Sequence, residues 1–139
     1  MKLRILWPGK TRKSYYADAI EDYSSRIKRM TDLDIIETKE GKNIQKDAAA
    51  IAEKRKAPVC VVLDSEGKQF TSIELAEWLQ KQSTDIDFIL GGPVGLPIKD
   101  VTLKLSLGKL TLPHELARVV LLEQIYRAMT IIKRIPYHK

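Results

Sequence analysis

Short apolar segments separated by helical patterns constrain the fold of this chain more than any other feature. Five such segments, each five to seven residues long, occupy residues 2–7, 33–38, 58–64, 86–90 and 103–107. Segments of this kind are typical of buried strands. Strands that alternate with helices are joined by right-handed crossovers and form a mainly parallel sheet covered on both faces. The sequence therefore predicts an α/β sandwich.

Helical patterns fill most of the chain between these segments. In the first, Ser14 is expected to cap a helix whose apolar residues recur at spacings of three and four. Residues 44–55 and 72–81 are also predicted to be helical, the second with Ser72 as its cap. These helices supply the layers that cover the sheet.

The last predicted helix, residues 113–132, is apolar on more than one face. A surface helix normally has a single apolar stripe, so this one must be buried against its own domain and against a second surface. A partner subunit is the simplest second surface, and a homodimer is expected. The alternative is a helix at the centre of a monomer.

Length and composition indicate one soluble globular domain covering residues 1–139, with 44% hydrophobic and 30% charged residues. The single cysteine, Cys60, lies in an apolar run and cannot form an internal disulfide, which fits a reducing cytoplasm. The first residues lack the pattern of a signal peptide, and no apolar run is long enough to span a membrane. A cytoplasmic location is therefore predicted.

Positive charge is concentrated at the two ends of the chain. The net charge is +6, yet the 90 residues between 14 and 103 carry twelve basic and sixteen acidic residues. Residues 1–13 hold five Lys or Arg and no acid, and residues 104–139 hold seven against two. If folding brings the ends together, they form a surface suited to phosphate backbones, whose binding releases counterions. The alternative is the ordinary solvated surface of a basic protein.

A glycine cluster, GGPVG at residues 91–95, directly follows the fourth apolar segment. Open α/β sheets bind ligands at the carboxyl ends of their strands, where this cluster is expected to lie. It lacks the lysine of a phosphate-binding P-loop and the spacing of a dinucleotide fingerprint. A turn that requires positive φ would also explain it, so the cluster is either a ligand loop or a turn.

The segment HELAR at residues 114–118 comes within one residue of the H-E-x-x-H zinc motif. Arg118 stands where the second histidine is required, and a guanidinium does not bind a cation. With two histidines and one cysteine in the chain, no structural zinc site can be assembled from His and Cys within one subunit. No Gly-x-Ser-x-Gly motif occurs. Metal chemistry and covalent hydrolysis are both disfavoured.

The residues around the last helix are the remaining candidates for chemistry. Residues 111–113, Thr-Leu-Pro, can begin the helix with the proline in its first turn and leave backbone N–H groups free for a ligand. Glu123 and Arg127 have the spacing of an ion pair on a helix surface. The tail PYHK, residues 136–139, brings together a hydroxyl, an imidazole and an ammonium, although chain ends are more often frayed than functional.

The long run LTLPHELARVVLLEQIYRA is preceded by LGGPVGL and followed by PYHK. Together with KLRILWPGK and VVLDSEGK, these motifs resemble the RlmH family of ribosomal large-subunit pseudouridine methyltransferases, in the SPOUT class. The resemblance spans the whole chain. It implies a parallel α/β fold with a C-terminal trefoil knot, an S-adenosylmethionine site within the knot, and a homodimer whose interface completes the active site.

The resemblance also implies a cofactor pocket made from the end of the third strand, the glycine loop and the segment before the last helix. Its residues are Leu63, Gly91, Leu107, Gly108, Lys109, Leu110, Thr111 and Leu112. Glycines allow the backbone to approach the cofactor closely, and the apolar leucines suit the faces of adenine.

The implied substrate is a pseudouridine of 23S rRNA in the assembled ribosome, methylated at N3. Such a transfer needs an in-line approach and a nitrogen that loses its proton. By resemblance, Tyr137 and His138 handle the substrate, with His138 or a nearby group as the possible base. Arg127, Arg118 and His114 bind or orient it, Arg127 by steadying negative charge on the uracil ring.

Cations near the chain ends are the predicted RNA contacts: Lys10, Arg12, Lys13, Arg118, Lys133, Arg134 and Lys139. Three positions depart from the family pattern. Arg134 stands where glycine is frequent, Gly108 replaces a serine, and Val94 takes a position that is usually more polar. Two other functions remain open: a non-catalytic ribosome-binding protein, and a knotted methyltransferase that acts on tRNA or a ribose hydroxyl.

Overall fold

A computed structural model describes residues 1–92 and 95–139, so that Pro93 and the predicted departure at Val94 lie outside the described residues. The elements, in chain order, are β1 Lys2–Pro8, α1 Ser14–Lys28, β2 Asp32–Thr38, α2 Ile44–Lys54, β3 Val59–Gln69, α3 Ser72–Gln80, β4 Ile86–Ile89, β5 Leu103–Ser106 and α4 His114–Ile132. All five predicted strands and all four predicted helices are present. Strand β3 runs five residues beyond its predicted end at 64, with a register irregularity between Leu63 and Lys68.

The strands form one five-stranded sheet in the order β2-β1-β4-β3-β5. Every pair in it is parallel, which confirms the predicted parallel α/β fold. The carboxyl ends of the strands therefore lie along one edge. The trefoil knot stays a prediction of the family resemblance.

Strand residues alternate between two apolar layers, as a sheet covered on both faces requires. Leu3, Ile5 and Phe88 belong to the larger core cluster, which includes side chains of α1, α3 and α4. Leu6 and Cys60 belong to a second cluster on the other face, together with Ile51 of α2. Cys60 is fully buried and has no disulfide partner, as predicted.

The starts of three helices differ from the predictions. Ser14 is the first residue of α1, Lys13 holds the N-cap position without a side-chain hydrogen bond, and a carboxylate of α4 binds the backbone just before the helix. Thr71, not Ser72, caps α3, because the spacing of Thr71 and Glu74 completes a reciprocal capping box. Pro113 is the N-cap of α4 and does not lie in its first turn, because its ψ of 145° is extended.

Helix α4 packs against both α1 and α3. Leu121, Ile125 and Ala128 are almost completely buried in this packing. Leu116 and Val120, one turn apart, remain partly exposed. The two-sided apolar pattern is thus satisfied in part within the chain, and these two residues form a strip that the rest of the subunit does not cover. Among the described residues, no helix is long and apolar enough to cross a membrane.

Candidate functional site

A cleft opens at the carboxyl edge of the sheet, where three connecting segments meet. Its cavity volume is about 110 Å³, and it is open to solvent on one side. Residues 63–65 follow the regular part of β3, the glycine loop follows β4, and residues 107–112 connect β5 to α4. Parallel strands place all three connections at one edge, so the topology itself creates the cleft.

Most of the predicted cofactor residues line this cleft. They are Leu63, Gly91, Leu107, Gly108, Leu110, Thr111 and Leu112. Lys109, also predicted, is not among the lining residues. The structure adds residues that sequence reasoning missed, including Asp64, Ser65, Gly92 and Ala117. Asp64 and Ser65 had a usable signal, since they stand at the predicted end of the third strand.

The structure explains why two positions in the cleft are occupied by glycine. A Cβ on Gly91 would lie 2.5 Å from the Cγ atom of Leu96, so this backbone has room for no side chain. Gly108 has a φ of +138°, a conformation that other residues rarely adopt. The hydroxyl of Ser106 accepts a hydrogen bond from the Gly108 N–H at 3.2 Å and lies 3.2 Å from the carbonyl oxygen of Ser65. It therefore links two walls of the cleft.

His114, a predicted catalytic residue, lines the same cleft from the first turn of α4. Its Nε2 atom lies 3.8 Å from the carboxylate of Glu115, and the imidazole is about half exposed. Within the part of the chain that the structure describes, no three His, Cys, Asp or Glu side chains are grouped so that they could hold a metal ion.

The next residue, Glu115, is buried and binds the loop between β1 and α1. One carboxylate oxygen accepts hydrogen bonds of 3.0 Å from the backbone N–H groups of both Arg12 and Lys13. Burial raises the pKa of Glu115, but these two hydrogen bonds outweigh it, and the pKa lies below its usual value. Glu115 is therefore an ionised tether between α4 and the basic loop.

Arg118 occupies a different position from the one expected. Only 3% of the residue is exposed. Its guanidinium donates to the carbonyl of Pro8 at 2.7 Å and to the hydroxyl of Thr11 at 3.0 Å, and it lies 4.8 Å from the ring centroid of Trp7. The predicted RNA contact at Arg118 disagrees with this placement, because its donors already bind groups of its own chain. Burial lowers the pKa of this guanidinium.

The C-terminal tail folds back onto α4 and forms a polar cluster of Glu123, Arg127, Tyr137 and His138. Arg127 donates to Glu123 at 2.6 Å, and the Tyr137 hydroxyl donates to the same carboxylate oxygen at 2.8 Å. Arg127 also lies 3.1 Å from Nδ1 of His138. The tail is therefore not frayed, and the Glu123–Arg127 ion pair extends into a network that reaches the chain end.

Ionisation in this tail cluster is set by its contacts. Burial raises the pKa of Glu123, but hydrogen bonds from Arg127 and Tyr137 outweigh it and hold the pKa below its usual value. Burial, followed by the hydrogen bond to Glu123, raises the pKa of Tyr137 to about 12. The Arg127 guanidinium can only donate, so Nδ1 of His138 must accept, and the proton of the neutral ring is on Nε2.

The cleft and the tail cluster lie at opposite ends of α4. His114 and Arg127 are 13 residues apart on this helix, a rise of roughly 20 Å at 1.5 Å per residue. The structure thus brings His114 to the cofactor residues and brings Arg127, Tyr137 and His138 to one another. It does not bring the two groups together within one chain.

The remaining predicted RNA contacts are exposed at two places: Lys10, Arg12 and Lys13 between β1 and α1, and Lys133, Arg134 and Lys139 after α4. Arg134 has a φ of 57°, the left-handed conformation that glycine adopts most easily at the end of a helix. The tail thus takes a left-handed turn where the family often has glycine.

Comparison with known proteins agrees with this architecture. A family model described as a predicted SPOUT methyltransferase matches residues 1–138. The chain is 40% identical to the ribosomal RNA large subunit methyltransferase H of Maridesulfovibrio salexigens, over 99% of this chain and 97% of that protein. The proteins of the same name from Geobacter sp. strain M21 and Koribacter versatilis are 40% and 42% identical, each over at least 98% of both chains.

Proposed function

Because the chain belongs to the SPOUT methyltransferase family, we propose that it transfers a methyl group from S-adenosylmethionine to large-subunit rRNA. The proposed acceptor is N3 of a pseudouridine in the assembled ribosome, and the proposed location is the cytoplasm. The observation that carries this proposal is the cleft at the carboxyl edge of the sheet. Seven of its lining residues belong to the cofactor set that the family resemblance implies.

The cleft has the chemistry that S-adenosylmethionine requires. Leu63, Leu107 and Leu112 offer apolar contact for an adenine ring, and the exposed backbone of Gly91 and Gly92 offers polar groups without side chains in the way. When bound, the cofactor supplies an electrophilic methyl group on a sulfonium. The cleft residues hold and orient that group, which is most of what an in-line transfer needs.

The tail cluster is proposed to hold the uracil ring of the substrate. Glu123 occupies two donor groups of Arg127, and the positive guanidinium then stabilises negative charge on a ring whose N3 proton passes to solvent water before the methyl group is transferred. Tyr137 donates its one hydroxyl proton to Glu123, so it offers the uracil ring an acceptor oxygen and an aromatic face. His138 presents its Nε2–H, since Nδ1 accepts from Arg127, so in this proposal it is a donor to the ring and not the base that the resemblance implied.

A homodimer is proposed to unite the two regions. Two copies of α4 that cross antiparallel about a twofold axis place the N-terminal end of one helix beside the C-terminal end of the other. The uncovered strip of Leu116 and Val120 lies between those ends and provides the apolar contact. The cleft of one subunit then faces the tail cluster of its partner.

The test is methyl transfer from labelled S-adenosylmethionine to ribosomes, free rRNA and tRNA, combined with subunit mixing. We expect label in ribosomes, at N3 of a pseudouridine. A variant defective only in the cleft and one defective only in the tail should each be inactive. When the two variants are mixed and their subunits exchange, the mixture should recover about one quarter of native activity. Half of the dimers then contain one subunit of each variant, and each such dimer has one intact site of its two. Labelled tRNA, or no recovery on mixing, would contradict the proposal.

A further inference from the structure

Tyr15 is a large aromatic side chain left in solvent at the first turn of α1. The residue is 62% exposed. With 44% hydrophobic residues and an apolar layer on each face of the sheet, the chain has a core that could bury such a ring, yet Tyr15 stays outside it. Its ring meets that of Tyr16 edge to face, with the centroids 4.6 Å apart and an angle of 65° between the planes. This contact steadies the ring of Tyr15 without covering it.

The loop before Tyr15 is strongly basic. Lys10, Arg12 and Lys13 are all exposed, and the first acidic residue of the chain is Asp18. Arg12 makes an ion pair of 3.1 Å with Glu40, but three-quarters of its side chain remains in solvent. Such pairs contribute little when exposed and exchange readily for a phosphate. Cations next to an exposed aromatic ring are the components of surfaces that bind single-stranded nucleic acid.

Two side chains of α4 fix this loop in place. Glu115 binds the N–H groups of Arg12 and Lys13, and Arg118 binds Pro8 and Thr11. Both side chains are buried. The loop is therefore held rigidly against the first turn of the helix that also lines the cleft.

The same contacts limit how far Tyr15 can lie from the cleft. His114 lines the cleft, the adjacent Glu115 holds Lys13, and Tyr15 is two residues further along the chain. Two residues span at most about 8 Å between Cα atoms. A nucleotide chain that delivers a base to the cleft would pass within reach of this ring.

We propose that Tyr15 stacks on an unpaired base of the RNA substrate while Lys10, Arg12 and Lys13 contact its phosphates. A base must leave its stack to enter an enzyme pocket, and a protein ring that stacks on a neighbouring base offsets part of that cost. This inference rests on the proposed RNA methylation. Glu115 and Arg118 are positioning residues, because they hold the surface and do not touch the RNA.

The test compares Tyr15→Ala with Tyr15→Trp and with Ile73→Ala, a control at an exposed apolar residue of α3. For Tyr15→Ala we expect KM for ribosomes to rise about fivefold or more, as loss of one stacked base predicts. The kcat value and the Kd for S-adenosylmethionine should stay within about twofold. Tyr15→Trp should keep KM near native, and Ile73→Ala should leave every value unchanged.

Salt dependence separates stacking from charge. Tyr15→Ala should leave the slope of log Kd for ribosomes against log salt unchanged, whereas Lys10→Ala and Lys13→Ala should each reduce it by about one. A native KM in Tyr15→Ala overturns the inference. So does a loss of self-association in that variant by sedimentation, which would assign Tyr15 to the subunit interface. If native protein methylates no RNA, the proposed function fails, and ribosome binding by Tyr15→Ala and native protein still decides the role of the ring.

Discussion

The cofactor cleft and the tail cluster are built in opposite ways. The cleft is formed by three segments that are distant in the sequence, and leucine side chains and glycine backbone dominate its walls. The tail cluster consists of charged and polar groups within the last 17 residues of the chain, joined by hydrogen bonds of 2.6 to 3.3 Å. The first region is suited to bind by shape, and the second to act through charge.

In the proposed dimer, this difference means that each subunit supplies two incomplete halves of a site. His114 and Arg127, one from each half, lie 13 residues apart on α4, so neither half can act on a ligand held by the other in the same chain. Substitutions in each half should therefore change different measured quantities. The predictions below use that separation, from the largest expected effect to the smallest.

Arg127→Ala should cause the largest loss. The variant removes the guanidinium that binds Glu123 and His138, and we expect kcat for methyl transfer to fall by about 100-fold or more, as for loss of a charge-stabilising donor. The Kd for S-adenosylmethionine, measured by titration calorimetry, should stay within about twofold. Arg127→Lys keeps the charge without the paired donors, so its kcat should lie between those of the native protein and Arg127→Ala. A parallel loss of cofactor affinity would break the proposed separation.

Gly91→Ala should produce the reverse pattern. The new Cβ would lie 2.5 Å from Cγ of Leu96, so the glycine loop must shift at the cleft wall. We expect the affinity for S-adenosylmethionine to fall by about tenfold, a cost in the range of overpacking, while ribosome binding persists. Gly92→Ala is the companion variant, because a Cβ there meets no atom of the described residues within 4 Å, so that any loss it causes reports contact with the cofactor and not a shift of the loop. Equal effects of the two substitutions would argue against a close fit at Gly91.

Tyr137→Phe should produce the smallest effect, on stability. Burial and, after it, the hydrogen bond to Glu123 raise the pKa of Tyr137 to about 12. The contribution of the protonated hydroxyl to stability is therefore complete below the ordinary tyrosine pKa of about 10 and disappears as pH rises through about 12. We expect the free energy of unfolding in urea to be about 1 kcal/mol lower in the variant at neutral pH. The difference should shrink above pH 10.

The exposed Tyr15 provides the control for that measurement, and Tyr15→Phe should leave the free energy of unfolding at neutral pH unchanged. The contribution of Glu123 to stability changes at the acidic end of the pH range. Its lowered pKa means that its contribution is present above its unfolded value of about 4.3 and is lost as pH falls below it. A difference for Tyr137→Phe that is constant up to pH 12 would contradict the proposed bond to an ionised carboxylate.

Much of the fold could be predicted from the sequence because strands and helices have different apolar periods. The five strands were located within a few residues, except that β3 continues to Gln69 beyond its apolar run. The helix starts were less predictable. Ser14 has the chemistry of a cap, but Glu115, 101 residues away, supplies the carboxylate at the start of α1. The sequence pattern within a helix does not reveal such a distant partner.

The site was predictable to the extent that it follows from strand ends and from the family motifs. The cleft residues were largely identified, since the carboxyl edge of a parallel sheet is their common position. The role of Arg118 was not, because an arginine in a basic chain end is ordinarily a surface residue. Only its burial beside Trp7, with the carbonyl of Pro8 as partner, shows that it positions the loop.

The sequence by itself determined the α/β class, the parallel sheet and the segments at its carboxyl edge, since these depend on apolar periodicity and on short-range connections; the individual cofactor residues came from the family resemblance. The tertiary structure alone decided which residues face one another. It placed His114 in the cleft and Arg127 with the tail at the far end of α4, and it turned Glu115 and Arg118 inward. The physical reason is that hydrogen bonds and burial act between neighbours in space, and those neighbours are fixed only when the helices pack.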